Sequence, residues 1–250
     1  MDVKAKMRRG DFCIGQFLKA ASPALVEVMG YAGLDFALLD MEHGPLSYET
    51  MEHMILAAER VGIAPIVRVE AVAESAIIRP LDKGAAGLVV PHVDTAAMAR
   101  DVLRFARYAP LGERGMDLYA RAARYSHTPK QEYLKQANQA LLALQIEGSG
   151  GLRNLEEILA VPGSDVIFIG PYDLSQSLGH PGEIEHPEVV AAIERTIAVV
   201  RNAGRHVGIY ADDAATARKW IDLGVQFIAL CVDTTIFYRA CKQLVADLRG

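Results

Sequence analysis

The sequence predicts a single-domain α/β protein built as a (β/α)8 TIM barrel, and three observations lead there. Eight short apolar runs of β type alternate with longer stretches of helical period, the pattern of repeated βα units and a parallel sheet. Glycine recurs just before these runs, at Gly33, Gly62, Gly87, Gly163, Gly204 and Gly224, as expected of short turns from a helix end into the next strand. Eight such units in 250 residues match the usual size of the barrel.

In chain order the expected strands are FCIGQF (12–17), DFALLD (35–40), APIVRV (64–69), GLVVP (87–91), LLALQIE (141–147), DVIFIG (165–170), HVGIYA (206–211) and QFIALC (226–231). Amphipathic segments separate them, including YETMEHMILAAERVG (48–62) and PEVVAAIERTIAVVRNAG (187–204). The second places Val189, Val190, Ile193, Ile197 and Val200 near the spacing of one helix face and stops at Gly204, a plausible residue just past a helix end. A doubly wound open sheet is the runner-up, but no GxGxxG loop follows the first strand. No Pro/Ser-rich linker divides the chain, so residues 1–250 are expected to form one domain. One long irregular stretch, YAPLGERGMDLYARAARYSHTP (108–129), precedes strand five and is expected to lie over the barrel mouth and shape a pocket there.

Bulk properties narrow the function. The net charge of −5, with acids and bases mixed along the chain, argues against nucleic acid or an anionic membrane as partner. No apolar run approaches the roughly 18 residues of a spanning helix, and the N-terminus MDVKAKMRRGDF lacks an apolar signal stretch. Cys13, Cys231 and Cys241 are odd in number and fit no metal spacing, so they read as reduced thiols of a cytoplasmic protein.

Polar residues at strand ends carry the chemistry, because the strands of a parallel barrel end at one mouth. Glu147 and Asp173 close runs five and six. An acid ending an apolar strand must find a counter-charge or a metal, and two on adjacent strands could share one ion. Oxygen ligands without cysteine suit Mg2+ or Mn2+. Arg68, flanked by Val67 and Val69, must pair with an anion and could clamp an enolate or carboxylate. His43 follows Asp40 by three residues in LDMEHGP, and a neighbouring carboxylate can orient an imidazole as a proton shuttle. Glu42 is in the set by position alone, and His92 is read as structural or supporting. None of the eight lysines lies within an expected strand, which removes the nucleophile of a Schiff-base aldolase. The last two βα turns, YADDAAT and CVDTTIF, lack phosphate-cradling glycines, so the substrate is expected to be unphosphorylated. In IGPYDLS, Gly170 permits close backbone approach and Pro171 stiffens the turn that presents Asp173.

Taken in order, LDMEHGP, IVRV, VVPHVDT, RYAPLGERG, LQIE and FIGPYDLSQSLG resemble the HpcH/HpaI family of metal-dependent pyruvate aldolases over about residues 11–240. The resemblance implies a (β/α)8 barrel, a homohexamer, and a last helix (about 234–248) exchanged between subunits. It implies Glu147 and Asp173 as ligands of a divalent ion (Mg2+ or Mn2+, with Co2+ a further option) and Arg68 on the pyruvate oxygen. It also implies proton transfer by His43 with Asp40, Gln145 near the metal, and the backbone of Gly170, Pro171 and Tyr172 receiving the pyruvate carboxylate. Tyr172 stands where the best-known members carry a small residue. The function so implied is retro-aldol cleavage of a 4-hydroxy-2-oxo acid to pyruvate and an aldehyde. The rival class is a citrate-forming or citrate-lyase-type enzyme on the same barrel, with Arg121 and Arg124 of the long loop supplying charge. A non-catalytic oxo-acid or metal-binding protein is the third reading.

Overall fold

A computed structural model describes residues 2–250, and it forms one closed barrel of eight parallel strands in sequence order. The strands are β1 (Cys13–Leu18), β2 (Phe36–Asp40), β3 (Ala64–Arg68), β4 (Gly87–Val90), β5 (Leu141–Ile146), β6 (Val166–Ile169), β7 (His206–Ala211) and β8 (Phe227–Val232). All eight expected runs are strands, shortened or shifted by a residue or two at their ends. The helices Tyr48–Val61 and Pro187–Asn202 form where the apolar period placed them. The first stops at Gly62, whose φ of 77° is a left-handed C-cap conformation that glycine adopts without strain.

Two cores follow from the period of two along each strand. One set of side chains, including Phe36 and Leu38 of β2, Ile66 of β3, Ala143 of β5 and Phe168 of β6, fills the barrel interior. The alternate set, including Ala37, Leu39, Val67, Leu144 and Ile167, packs outward against the helices. Phe36 and Phe227 stack inside with ring centroids 4.1 Å apart. The interior admits those rings because β1 carries Gly15, where a Cβ would fall 2.1 Å from the Phe36 ring. The N-terminal helix Val3–Arg8 joins this inner cluster through Val3 and Met7 at the strands' N-terminal end. Lys6 holds it there by an ion pair to the buried Asp35, whose Oδ2 also accepts the Ile14 N–H.

The long stretch 108–129 does not lie over the mouth. It connects a helix to β5, and αβ connections lie at the N-terminal face of a barrel, whereas the mouth is built by βα connections. Its contacts confirm that placement. Arg114 pairs with Asp82, and Arg121 reaches Glu59 and the Lys83 carbonyl, all at the C-terminal ends of the helices that enter β3 and β4. The expectation failed on the order of elements, since a segment before a strand cannot shape that strand's outlet.

The last helix, Asp233–Arg249, buries only Asp233. Phe237, Tyr238, Leu244, Val245 and Leu248 are all exposed along it. No helix among the described residues is long and apolar enough to cross a membrane.

Candidate active site at the barrel mouth

The strand alternation that fills the barrel also fixes which polar side chains point into its mouth. Continuing the inward series Phe36, Leu38 by two residues gives Asp40, and Ala64, Ile66 gives Arg68. The same step after Leu141 and Ala143 gives Gln145 and then Glu147; after Val166 and Phe168 it gives Gly170.

In register, Asp40 lies beside Arg68 on the neighbouring strand. The guanidinium donates from Nε to Asp40 Oδ1 (2.9 Å) and from Nη2 to Oδ2 (2.8 Å), a bidentate pair with both groups buried. Its third nitrogen, Nη1, sits 3.0 Å from Glu42 Oε2, although that oxygen lies outside hydrogen-bond geometry. The Arg68 guanidinium also covers the Phe17 ring at 4.6 Å. Asp40 is therefore the partner of Arg68, and the expected Asp40–His43 ring pair is not made. From the following turn Asp40 Oδ1 accepts the main-chain N–H groups of Glu42 and His43, and the rest of the carboxylate's capacity is spent on Arg68. The His43 ring is half exposed, and its nearest carboxylate is Glu42 at 4.0 Å.

Glu147 closes β5 almost wholly buried. Gln145 donates from its side-chain amide to Glu147 Oε2, and the His92 main-chain N–H donates to Oε1 (2.9 Å). Burial pushes the Glu147 carboxyl up to about 6, and the nearby negative charge of Asp173 pushes the same way. The donors from Gln145 and His92 resist that shift without cancelling it. Gly170 makes room for this carboxylate, since a Cβ there would come within 2.6 Å of Glu147 Oε2. The Gln145 side-chain oxygen is buried without a hydrogen-bond partner.

His92 is more central than the sequence suggested. Its ring lies between two acids, Nε2 3.1 Å from Glu42 Oε1 and Nδ1 3.0 Å from Glu147 Oε1. Glu42, His92 and Glu147 thus bring one potential ligand atom each to within 4.8 Å of one another. The backbone of His92 sits at φ 53°, an uncommon conformation for a residue with a side chain, and it turns both the N–H and the ring toward Glu147. A positive φ leaves no mark in the sequence; the signal that could have been used was His92 ending β4, next to Glu147 on β5. Glu42, which had no role by sequence, links Arg68 to His92.

The helix Pro171–Ser177 starts immediately after β6 and holds Asp173 in its first turn. The Gly170 N–H is already committed to the Ile146 carbonyl (3.3 Å) and Pro171 has no N–H, so neither can donate to a bound carboxylate. The free main-chain donors of this turn are those of Tyr172 and Asp173, since a helix leaves its first N–H groups without internal partners. The Tyr172 side chain is tied to the rim: its hydroxyl and that of Tyr210 donate to the two oxygens of Asp212 (2.8 and 2.9 Å). Burial and the Asp212 acceptor push the Tyr172 hydroxyl up to about 12, so it is a proton-bearing donor throughout the physiological range.

His43, Arg68, Gln145, Tyr172 and Asp173 line a cavity of about 330 Å3, together with Phe17, Lys19 and Tyr210. Arg121 and Arg124 do not reach it; they line a second cavity of about 790 Å3 at the opposite end of the barrel.

A closed (β/α)8 barrel with a buried arginine–carboxylate pair and converging acids at its strand outlets gathers its polar groups at the face where barrel enzymes carry their active sites. Residues 13–240 match the HpcH/HpaI aldolase/citrate lyase model, and the chain belongs to that family. It is 40% identical to a hydroxypyruvate/pyruvate aldolase of Pseudomonas aeruginosa over 250 residues, covering 99% of this chain and 92% of the relative. It is 39% identical to a 2-keto-3-deoxy-L-rhamnonate aldolase of Salmonella gallinarum, again across 99% and 92% of the two chains. A crystal structure of a family member from Burkholderia cenocepacia superposes with a TM-score of 0.93 at 33% identity, covering 99% of both chains.

Proposed function

We propose that the protein cleaves a 4-hydroxy-2-oxo acid into pyruvate and an aldehyde, reversibly, with the help of a divalent ion at the barrel mouth. The observation that carries this reading is the Glu147 carboxyl. It is buried beside a second acid and pushed up to about 6, which disfavours its charged form unless a cation is present. The orphaned Gln145 oxygen, the carboxylates of Glu147 and Asp173, and the approach of Glu42 and His92 make an oxygen-rich set that fits Mg2+ or Mn2+, with Co2+ also accommodated through the imidazole. Glu147 and Asp173 would hold the ion, which supplies Lewis-acid polarisation of the 2-oxo group.

The chain's own groups divide the remaining work. The first-turn N–H groups of Tyr172 and Asp173 receive the substrate carboxylate. His43 takes the proton from the 4-hydroxyl, the C3–C4 bond breaks, and its electron pair moves into the C2 carbonyl to give the enolate of pyruvate. Arg68 stands over that developing negative charge, held rigid by Asp40 and Glu42 so that no reorganisation is needed. His43 returns a proton to C3, and pyruvate and the aldehyde leave. In this reading Asp40 acts by positioning Arg68.

The exposed apolar face of Asp233–Arg249 is what supports exchange of this helix with a neighbouring copy; a hexamer and a cytoplasmic location complete the proposed reading. The citrate-type alternative on the same barrel needs a site for a larger anionic partner. The two arginines offered for it, Arg121 and Arg124, lie at the far end of this chain.

The test is pyruvate release from a panel of 4-hydroxy-2-oxo acids, with EDTA treatment and divalent-metal add-back. Activity is expected to vanish with the metal and return with Mg2+ or Mn2+. Full turnover after complete metal removal would sink the reading.

A further inference from the structure

We propose that His180, Glu183 and His186 form a second metal site, outside the mouth, that takes Zn2+ as a structural ion. The inference goes beyond the aldolase reading and does not rest on it.

The three residues recur at intervals of three in GHPGEIEH, the connection between the helices Pro171–Ser177 and Pro187–Asn202. Each brings one ligand atom, and these atoms lie within 4.8 Å of one another. The two histidines are partly buried and Glu183 is exposed, so the cluster is open to solvent on one side. None of the three lines the mouth cavity.

The rings are already arranged as a pair of ligands. They stack with centroids 3.5 Å apart and planes 18° from parallel. His180 Nε2 lies 3.1 Å from Glu188 Oε2, so with the proton on Nε2 the other nitrogen, Nδ1, keeps its lone pair. A carboxylate on the far nitrogen is the usual way a metal-binding imidazole is oriented and made more basic. His186 Nδ1 accepts the Glu188 N–H at 3.3 Å, a long bond that an ion readily displaces.

The loop beneath them is fixed by Ser175, which is fully buried. Its carbonyl accepts the His180 N–H (2.9 Å) and its hydroxyl oxygen accepts the Gly182 N–H (3.0 Å). The Glu183 N–H closes onto the His180 carbonyl and the His186 N–H onto that of Glu183, both at 3.0 Å. With the backbone set, side-chain rotations alone bring the ligands to bonding distance, and little ordering entropy opposes binding.

Ligand chemistry selects the ion. Two imidazoles and a carboxylate, with water in the fourth position, suit Zn2+, whereas Mg2+ and Mn2+ prefer an oxygen set such as that of the mouth. The ion has a structural task. The Ser175 hydroxyl also donates to the Tyr172 carbonyl (2.6 Å), so a metal on this loop staples the short helix that carries Asp173.

The experiment counts Zn2+ per chain on metal-stripped protein by equilibrium dialysis and elemental analysis, and follows Tm on the same samples. His186→Asn should remove one ion per chain, both in the wild type and in Glu147→Gln, where the mouth set is impaired. Asparagine keeps the helix cap, so the variant tests the ion and not the fold. Glu183→Gln, at an exposed position, should weaken that ion's binding by on the order of tenfold or more. Zn2+ at about a hundredfold its Kd should raise the Tm of Glu147→Gln by roughly 5–10 °C, and the rise should be lost when His186→Asn is added. In Cu2+-loaded protein, electron paramagnetic resonance should lose nitrogen splitting on His180→Gln. A Zn2+ content unchanged by His186→Asn in both backgrounds would overturn the proposal, and so would a site that fills only at millimolar Zn2+.

Discussion

The two ends of this barrel each hold a cavity, and the larger one is at the end without the chemistry. At the N-terminal end a space of about 790 Å3 is roofed by the long stretch 108–129, and two of its arginines are held by acids, Arg121 by Glu59 and Arg114 by Asp82. At the mouth a cavity of about 330 Å3 is bordered by groups that are not at rest. Glu147 is pushed toward its protonated form, the Gln145 oxygen is orphaned, and His92 is held at a positive φ. Structural polar groups satisfy one another; functional ones are left short of a partner that a substrate or ion supplies. A buried acid raised by its neighbours, more than volume, separates the two ends.

The strongest way to break that comparison is to remove one arginine from each end. Arg68→Met should lower kcat for pyruvate release by on the order of 10²–10³, as loss of one preorganised oxyanion donor does. It also strands the fully buried Asp40, so unfolding free energy should fall by about 3–5 kcal/mol. Asp40→Asn in the same background should recover stability but not activity, which separates the two effects. Arg121→Ala removes a pair whose acid, Glu59, is half exposed, and should change stability by under about 1 kcal/mol and leave kcat within twofold. Equal losses of kcat in the two variants, measured beside chemical denaturation, would erase the distinction between the ends.

The pH response is the next largest effect. The Glu147 carboxyl is raised above its ordinary value in the fold, so the metal-free protein binds that proton more tightly than the unfolded chain does. The resulting stability is present below the unfolded value near 4.5 and is lost as pH rises through about 6, a contribution of roughly 2 kcal/mol. Ion binding runs the other way, because the ligand must be deprotonated. Mn2+ affinity, measured by titration calorimetry, should be flat above about pH 7 and roughly tenfold weaker at pH 5. In Glu147→Gln that slope should disappear along with most of the affinity. An affinity independent of pH between 5 and 7 would mean that Glu147 is not a ligand.

How much of this was legible in the sequence depended on periodicity. All eight strands were, because each is a short apolar run closed by a turn. So was the inward direction of Arg68, Gln145 and Glu147. The partner of Asp40 follows from strand register and not from its spacing of three to His43. Asp40 and Arg68 continue the inward series of adjacent strands, and that alternation, carried one step further, points to the pair that forms. His92 was undervalued because its role depends on a backbone turn at φ 53° that leaves no compositional signal. The long stretch was put at the wrong end although parity alone decides it: segments after a strand build the mouth, and segments after a helix build the floor.

The finest contrast lies between two tyrosine pairs. At the mouth, Tyr172 and Tyr210 share the carboxylate of Asp212 through hydrogen bonds of 2.8 and 2.9 Å. At the floor, Tyr108 and Tyr133 face each other hydroxyl to hydroxyl at 3.4 Å, a long contact between neutral groups. A bond to a charged acceptor is the stronger of the two, even though Tyr172 is partly exposed and its floor counterparts are buried. Tyr172→Phe should therefore lower the thermal midpoint by about 2–4 °C, the equivalent of roughly 1 kcal/mol in a chain of this size. Tyr133→Phe should lower it by less than about 2 °C, because the lost contact is weak and the ring packing stays. Equal falls of the midpoint in the two variants would remove this difference between the two ends.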